Sequence, residues 1–252
     1  MVLQARPYKN GALTREMIRD IHSEKSWSKF NEQIESRPTG NSGLLGFYFP
    51  LKEIIPEGVE GEHFFSNGER VSPNKFPSDA HARAVVESQL LSIRARLIGT
   101  LHTTTQGKSS EANSDTYASA AGLKRCIITG GGAANHVLQR LAADILGLPV
   151  FTAASGSDSA ASGGALLAKY AWWKRNAKNC PPTIPGVPLN DVEGETVPSS
   201  ATFEDMRKEL GEPILNRVAE TDATNERLYG DILEVFRRCE RVIVGDFHRN
   251  EP

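Results

Sequence analysis

Cysteine is scarce in this sequence, and its few cysteines stand at none of the spacings typical of metal or disulfide sites. There are three, Cys126, Cys180 and Cys239, far apart and odd in number. A zinc site needs Cys-x-x-Cys or Cys/His pairs, and a disulfide framework needs an even set of cysteines in an oxidising compartment. We therefore expect no cysteine metal site, no disulfide framework and a reducing compartment, the cytoplasm.

An excess of one charge sign and a long apolar run are also lacking. The 29 lysines and arginines nearly balance the 31 aspartates and glutamates, for a formal net charge of −2. Such a balance creates no field that would attract nucleic acid or a membrane surface. No apolar run approaches the roughly 18 residues of a membrane-spanning helix, and the first residues contain no signal-peptide core. We expect a soluble protein whose partner is a small molecule or a protein, with no nucleic acid and no membrane.

Two common nucleotide-binding signatures are absent too. The dinucleotide fingerprint G-x-G-x-x-G does not fit residues 130–135, which read GGGAAN, and the strand after the next helix ends in Thr152 and Ala153 without an acidic residue. The phosphate loop G-x-x-x-x-G-K-[ST] does not fit either, because "GKS" at 107–109 has His102 where the first glycine belongs. Neither a nicotinamide cofactor nor a phosphate-loop site is expected.

What the sequence does contain is an alternation of short apolar runs and helical patterns. Helical spacing of Trp27, Phe30 and Ile34 predicts a helix that Ser26 would cap, and the run LLGFYFP predicts a buried strand at 44–50. A long helix is predicted at 78–98. One of its faces is apolar (Val86, Leu90, Ile93, Leu97), and charged residues occupy the rest (Arg83, Glu87, Arg94, Arg96).

Residues 125–153 have the pattern of a strand, a helix and a second strand, which is the parallel crossover of an α/β sheet. The run RCIIT is expected to be a buried strand, the helix ends at Gly147, and PVFTA is the second strand. A helix rich in small residues follows at 159–173, and further helices are predicted near 203–210 and 225–243. Together these elements predict an α/β fold.

Two segments lack the pattern of a packed core. Residues 100–122 are rich in Ser, Thr, Ala and Gly with almost no large apolar side chain, which predicts a mobile surface insertion. Residues 176–201 carry prolines and polar residues without periodicity, as in a linker. We expect one domain over residues 1–175, and a linker with C-terminal helices docking on it over residues 176–252.

Three consecutive glycines, Gly130, Gly131 and Gly132, join the predicted strand to the predicted helix. Glycines at such a junction let backbone N–H groups point at a ligand, and the helix N-terminus favours an anion. A tight turn that merely connects the two elements is the alternative. The residue types alone leave both interpretations open.

The glycines open a stretch, TGGGAANHVLQRLAADILGLPV and then SDSAASGGALLA, that resembles the adenosine motif of the FGGY carbohydrate kinases. Four more blocks resemble, in the same order, the C-terminal half of eukaryotic, fungal-like xylulose kinases: YKNGALTRE, SWSKF, GLLGFYFPLKEIIPE and ARAVVESQLLSIRARL. The resemblance covers about residues 8–173. It implies an actin-like (ribonuclease H-like) ATPase domain that lacks its first strands and carries a C-terminal helical extension.

The resemblance also implies which residues bind ATP. Gly131 and Gly132 would lie against the nucleotide, Gly130 would shape the turn, and the Asn135 amide would hydrogen-bond the adenine. Asn135 is equally suited to cap the helix that follows, and both roles are compatible. Trp27 would contact the nucleotide, with a core anchor as the alternative.

In kinases of this kind, Mg²⁺-bound ATP phosphorylates a sugar hydroxyl that an aspartate deprotonates. The resemblance places that aspartate in the N-terminal half, so we expect no catalytic residue on this chain. No metal ligand is expected either, and Asp144 and Asp158 are left unassigned.

The expected function is the ATP-binding half of a kinase that converts D-xylulose to D-xylulose 5-phosphate. D-xylulose would bind only when the N-terminal half is supplied, and the isolated chain is expected to be inactive. One alternative is a non-catalytic nucleotide-binding or regulatory half-kinase that pairs with a complete kinase chain. The other is a kinase fragment for another polyol or sugar acid.

Overall fold

The structure is a computed structural model that describes residues 7–104, 123–153, 159–176, 202–209 and 215–250. In chain order the helices are α1 (Ala12–His22), α2 (Trp27–Ser36), α3 (His81–Thr104), α4 (His136–Leu146), α5 (Ser159–Asn176), α6 (Phe203–Glu209) and α7 (Ala223–Asn250). The strands are β1 (Leu44–Phe49), β2 (Gly61–Ser66), β3 (Glu69–Val71), β4 (Cys126–Ile128), β5 (Val150–Ala153) and β6 (Leu215–Ala219).

The predicted insertion is only partly within the described residues. Helix α3 continues to Thr104, so residues 100–104 are helical and do not belong to a loop. Residues 105–122 of the predicted insertion and residues 177–201 of the predicted linker lie outside the described ranges.

Two compact units divide the chain. The larger unit falls within residues 1–126, 135–151 and 217–252, and the smaller one within residues 127–134 and 152–216. Strands β4, β5 and β6 form a three-stranded sheet in that order. None of the described helices is both long and apolar enough to cross a membrane.

A β-meander carries the aromatic core of the larger unit. Strand β2 pairs antiparallel with β1 and with β3, so that Leu45 lies opposite Phe65. Phe47, Phe64 and Phe65 are buried, and the Phe47 ring stacks on Phe236 of α7 at 4.9 Å between ring centres. The predicted strand at 44–50 is confirmed by β1.

Helix α3 is buried on its charged face as well as on its apolar face. Val86 and Leu91 are buried, but so are Arg83, Glu87 and Arg94. The charged residues can leave water because they are paired with charges or with backbone carbonyls. Arg83 binds Glu87 at 2.6 Å, and Arg94 donates to the carbonyl oxygen of Ile145 at 2.8 Å.

Strand β4 departs from the expected burial. The run RCIIT was expected to form a buried strand, and that expectation is wrong for Ile127, whose side chain is 47% exposed. The physical reason is position: among the described residues β4 is the end strand of its sheet and has only β5 as a neighbour.

The apolar pattern of the C-terminal helix predicts that one stripe docks on the main body, and α7 buries only part of that stripe (Leu228, Ile232, Val235, Phe236, Cys239 and Val242). Phe236 and Cys239 are buried as the apolar pattern indicates, but Leu228 and Val242 are largely exposed. The buried positions follow a spacing of three and four residues and include Tyr229, Leu233, Phe236 and Ile243.

Candidate functional site

The glycine turn directly follows β4 in the smaller unit. Gly130 has φ of 75°, a left-handed conformation that side chains disfavour, and its carbonyl oxygen accepts from the N–H of Ala133 at 3.0 Å. A short 3₁₀ turn, Gly131–Ala134, then leads to the N-terminus of α4. Glycine at 130 is therefore explained by the backbone conformation.

Gly131 needs a different explanation. It is not among the glycines with a left-handed φ, and a Cβ atom built on it meets no heavy atom of the described residues within 4 Å. At Gly40, by contrast, a Cβ atom would lie 2.4 Å from Ile232. Neither backbone strain nor crowding by the described residues accounts for glycine at 131. The missing side chain leaves open space beside the backbone.

Asn135 joins the glycine turn to α4 and belongs to the larger unit. Its side-chain oxygen Oδ1 accepts from the N–H groups of Val137 at 3.0 Å and Leu138 at 3.2 Å, so Asn135 is the N-cap of α4. Its amide nitrogen donates to Oδ1 of Asn31 at 2.9 Å. Among the described residues, no second hydrogen bond from the Asn135 amide nitrogen is present.

Trp27 is the first residue of α2, and its ring packs edge-on against the buried Phe30 at 5.3 Å. Phe30 and Ile34 supply the core contacts of this helix, while Trp27 is 39% exposed. The Arg19 guanidinium lies 4.6 Å from the centre of the indole. The indole is therefore anchored at one side and retains accessible aromatic surface.

The structure brings Trp27 and Asn135 into one neighbourhood through a residue that sequence reasoning missed. Asn31 follows Trp27 by one turn on α2 and contacts Asn135 directly. The same pair of helices is joined farther along by the ion pair of Arg140 with Glu35 at 2.8 Å. The four-residue spacing from Trp27 was the available signal for Asn31.

Acidic residues do not form a metal site in the part of the chain that the structure describes. No group of three His, Cys, Asp or Glu side chains there could hold a metal ion. Asp144, which sequence reasoning left unassigned, accepts from the N–H of Asp222 and from the Asn225 amide, each at 2.9 Å. Asp144 thus holds the N-terminus of α7 in place through these two hydrogen bonds. Burial raises the pKa of the Asp144 carboxyl group. Asp158 lies outside the described residues.

Comparison with known proteins identifies a family match over the central part of the chain. Residues 59–172 match the C-terminal domain of the FGGY family of carbohydrate kinases. The match includes the glycine turn and Asn135 but not Trp27.

Xylulose kinases are among the similar sequences. The mouse xylulose kinase is 35% identical over 144 residues, which cover 57% of this chain and 23% of that protein. Xylulose kinase 2 of Arabidopsis thaliana is 30% identical over 247 residues, covering 94% of this chain and 38% of that protein. D-xylulose kinase A of Aspergillus niger is 31% identical over 185 residues, covering 65% and 30%. The chain spans well under half the length of these relatives.

Solved structures share the fold. A xylulose kinase of Lactobacillus acidophilus superimposes with a TM-score of 0.62 at 14% identity, covering 97% of this chain and 40% of that one. A gluconate kinase from the same organism gives 0.63 at 12% identity, with the same coverage. These likenesses confirm the predicted actin-like α/β fold.

Proposed function

We propose that this chain is the ATP-binding half of a sugar kinase, because residues 59–172 match the C-terminal domain of the FGGY family of carbohydrate kinases and xylulose kinases are among the similar sequences. The proposed reaction converts D-xylulose and ATP to D-xylulose 5-phosphate and ADP. The choice of sugar rests on the names of the similar sequences. The fold does not select the sugar, since a gluconate kinase is as similar as a xylulose kinase.

The open glycine turn is the observation that carries this proposal. A Cβ atom at Gly130 or Gly131 would project into space that no described atom occupies. A ligand that fills this space can approach the backbone more closely than any side chain at 131 would allow. The adenosine of ATP is the group that we place there.

The capped helix favours a nucleoside over a phosphate at this position. Oδ1 of Asn135 already binds the N–H groups of Val137 and Leu138, which an anion at the helix N-terminus would otherwise use. The remaining N–H of Asn135 can bind a base, and the exposed surface of Trp27 can contact it.

In this proposal, Mg²⁺ binds together with the phosphates of ATP. Bound Mg²⁺ neutralises charge on the transferred phosphoryl group and is held by phosphates with one or two carboxylates. Among the described residues, no group of three or more His, Cys, Asp or Glu side chains could hold a metal ion, and this leaves single carboxylates untested. We assign to this chain the binding and orientation of the nucleoside, and we propose that the catalytic aspartate and the sugar contacts belong to the remainder of a complete kinase.

Calorimetric titration of the purified chain with ATP tests the site. Gly131→Val is expected to abolish ATP binding because the added methyl groups fill the nucleotide space, while the free energy of unfolding changes little because that space is otherwise open. Gly245→Val on α7 is a matched control, since a Cβ atom there meets nothing closer than 3.9 Å. If Gly131→Val binds ATP as well as the parent, the assignment is wrong.

Asn135 needs a variant that separates its two roles. Asn135→Ala removes both the cap and the amide, and losing a cap alone costs about 1 kcal/mol of stability. Asn135→Asp keeps the capping oxygen and removes only the N–H donors, so it is expected to weaken ATP binding with α4 still capped. Equal affinity of the parent and Asn135→Asp would exclude the proposed contact.

A further inference from the structure

Helix α5 of the smaller unit exposes a continuous apolar surface. Its sequence is SAASGGALLAKYAWWKRN, and a helix with apolar residues on every side is normally buried. In α5, however, Leu167 is 63% exposed and Trp172 is 56% exposed. These two side chains share one surface of the helix, here called the α5 face, with the other exposed apolar residues, which are Ala161, Gly164, Ala165, Ala168 and Ala171.

The opposite side of α5 packs within the smaller unit. Tyr170 lies on that side, and its ring meets the Phe203 ring of α6 edge-on, with 5.4 Å between the ring centres. Leu166 and Trp173 are half-buried on the same side. The α5 face therefore lies on the side of the helix away from α6. An exposed apolar surface of this kind is typical of a protein–protein contact.

Two consecutive glycines in α5 need an explanation. Glycine in a helix interior lowers helix stability, and neither Gly163 nor Gly164 has a left-handed φ. A Cβ atom built on either one meets no heavy atom of the described residues within 4 Å. Crowding and backbone conformation within the described residues therefore do not account for these glycines. What glycine does permit is the close approach of a further side chain or backbone.

We propose that the α5 face binds the α5 face of a second copy of this chain, with the two helices antiparallel and overlapping along their full length. Small residues occupy the N-terminal half of the face, and the bulky Trp172 lies in its C-terminal half. In this register, Gly164 lies level with Ala171 of the second copy, and Trp172 lies level with Gly163 of the second copy. The bulky half of each copy therefore covers the small half of the other, in a two-fold symmetric contact.

The distribution of charge favours the antiparallel orientation. Residues 159–168 contain no charged side chain, whereas Lys169, Lys174 and Arg175 all follow in the C-terminal half of α5. A parallel pair would bring these like charges side by side and would align the two helix dipoles. The antiparallel pair instead places each basic end beside an uncharged half of the other helix.

The size of the α5 face predicts a weak dimer. A helix of 18 residues is about 27 Å long and about 10–12 Å wide, so the face measures about 300 Å². Stable interfaces bury about 800 Å² on each copy, and smaller interfaces belong to weak or transient complexes. We expect a Kd of about 10–100 µM.

Sedimentation equilibrium of the full 252-residue chain tests the dimer. At concentrations from about tenfold below to about tenfold above this Kd, the mean mass is expected to rise from that of the monomer to twice that value. A mass that stays at the monomer would leave the α5 face to a different protein and overturn the proposal, and a mass that rises beyond the dimer would contradict a two-fold pair. The measurement needs no nucleotide, so its result does not depend on the proposed ATP site.

Leu167→Lys tests whether the α5 face is the contact. Leu167 lies at the middle of α5, so in the dimer it meets Leu167 of the second copy. Lysine would bring two like charges together there, and we expect the Kd to rise at least about tenfold. Ile21→Lys on α1 is the matched control, because Ile21 is also 63% exposed, and its Kd is expected to equal that of the parent. Equal Kd values for the parent and Leu167→Lys would place the contact elsewhere and overturn the proposal.

Photo-cross-linking tests the orientation of the two helices. Trp172 is replaced by the photoreactive aromatic residue benzoylphenylalanine, and the cross-linked peptides of the covalent dimer are identified by mass spectrometry. In the antiparallel pair, position 172 reaches Ala161 and Ala165 of the second copy, and cross-links are expected there. Cross-links to residues 171–175 of the second copy would indicate a parallel pair and would contradict the proposal.

Discussion

His81 is a buried titratable side chain packed among aromatic rings. Its ring stacks on that of His22, with centroids 3.9 Å apart, and its Nδ1 lies 2.9 Å from the hydroxyl of Tyr48. Phe64 and Phe76 pack against its edges. Burial, together with the neighbouring His22, lowers the pKa of His81 from 6.5 to about 4, although Asp79 opposes the shift.

Acid is therefore expected to destabilise the fold through His81. The pKa is lower in the folded state than in the unfolded state, so the stabilisation is complete above pH 6.5 and is lost as the pH falls towards about 4. The loss amounts to about 3 kcal/mol in the free energy of unfolding. Urea denaturation at several pH values between about 4.5 and 7.5 measures it.

Variants with and without the His81 imidazole check the source of this pH dependence. The double variant Tyr48→Phe, His81→Phe replaces both partners by apolar rings and is expected to lose less stability on acidification than the parent. Tyr48→Phe alone keeps the titrating imidazole and is expected to retain the acid loss. An unchanged pH dependence in the double variant would contradict the role of His81.

At the scale of elements, a buried charge network ties α3 to α2 and α7. Oε1 of Glu87 accepts from Arg83, from the N–H of Gly40 and from the Tyr229 hydroxyl. Arg83 also donates to the carbonyl oxygens of Ile34 and Arg37 at the end of α2. Burial is the main cause that raises the pKa of Glu87, against the opposing effect of Arg83.

Removing Glu87 alone is expected to lower the free energy of unfolding more than replacing Arg83 and Glu87 together. Glu87→Leu leaves the Arg83 charge buried and unpaired, which costs about 3–5 kcal/mol. The double variant Arg83→Met, Glu87→Leu is expected to be less destabilised than the sum of the two single variants. A double-mutant cycle by urea denaturation measures the difference, and strict additivity would show that the two side chains are not coupled.

At the scale of the whole molecule, the chain corresponds to only part of each similar xylulose kinase. The chain spans 23–38% of the similar xylulose kinases of mouse and Arabidopsis. Phosphoryl transfer depends on positioning and on electrostatic stabilisation, which need both walls of a closed site. In our proposal, this chain supplies the wall of the site that binds the nucleotide.

We therefore expect the purified chain to have little or no kinase activity. Incubation with Mg²⁺-ATP and D-xylulose, followed by measurement of ADP release and sugar phosphate, should give no signal above a protein-free blank. Titration with ATP on the same preparation serves as the control for a folded site. Detectable ATP-dependent phosphorylation of D-xylulose would refute this expectation.

Local patterns were sufficient for the elements that have strong periodicity or clear end signals. The helix after Ser26 begins where its cap was predicted, and α4 ends at Gly147 in the left-handed conformation that stops a helix. Strands β2 and β3 were missed, although Asn67 and Gly68 between them form the Asn-Gly signal of a tight hairpin, with φ of 50° and 85°. Strand β6 reads LNRVA, which has no apolar–polar alternation that would mark a strand.

By itself, the sequence determined the turn at the three glycines, the cap at Asn135 and the elements with strong periodicity or clear end signals, because each depends on neighbours within a few residues. The tertiary structure decided what distant residues do to one another. It buried the charges of α3 by pairing them, left Ile127 exposed on an end strand, and set Asn31 against Asn135 from 104 positions away. Such contacts follow from how helices pack, which no local pattern encodes.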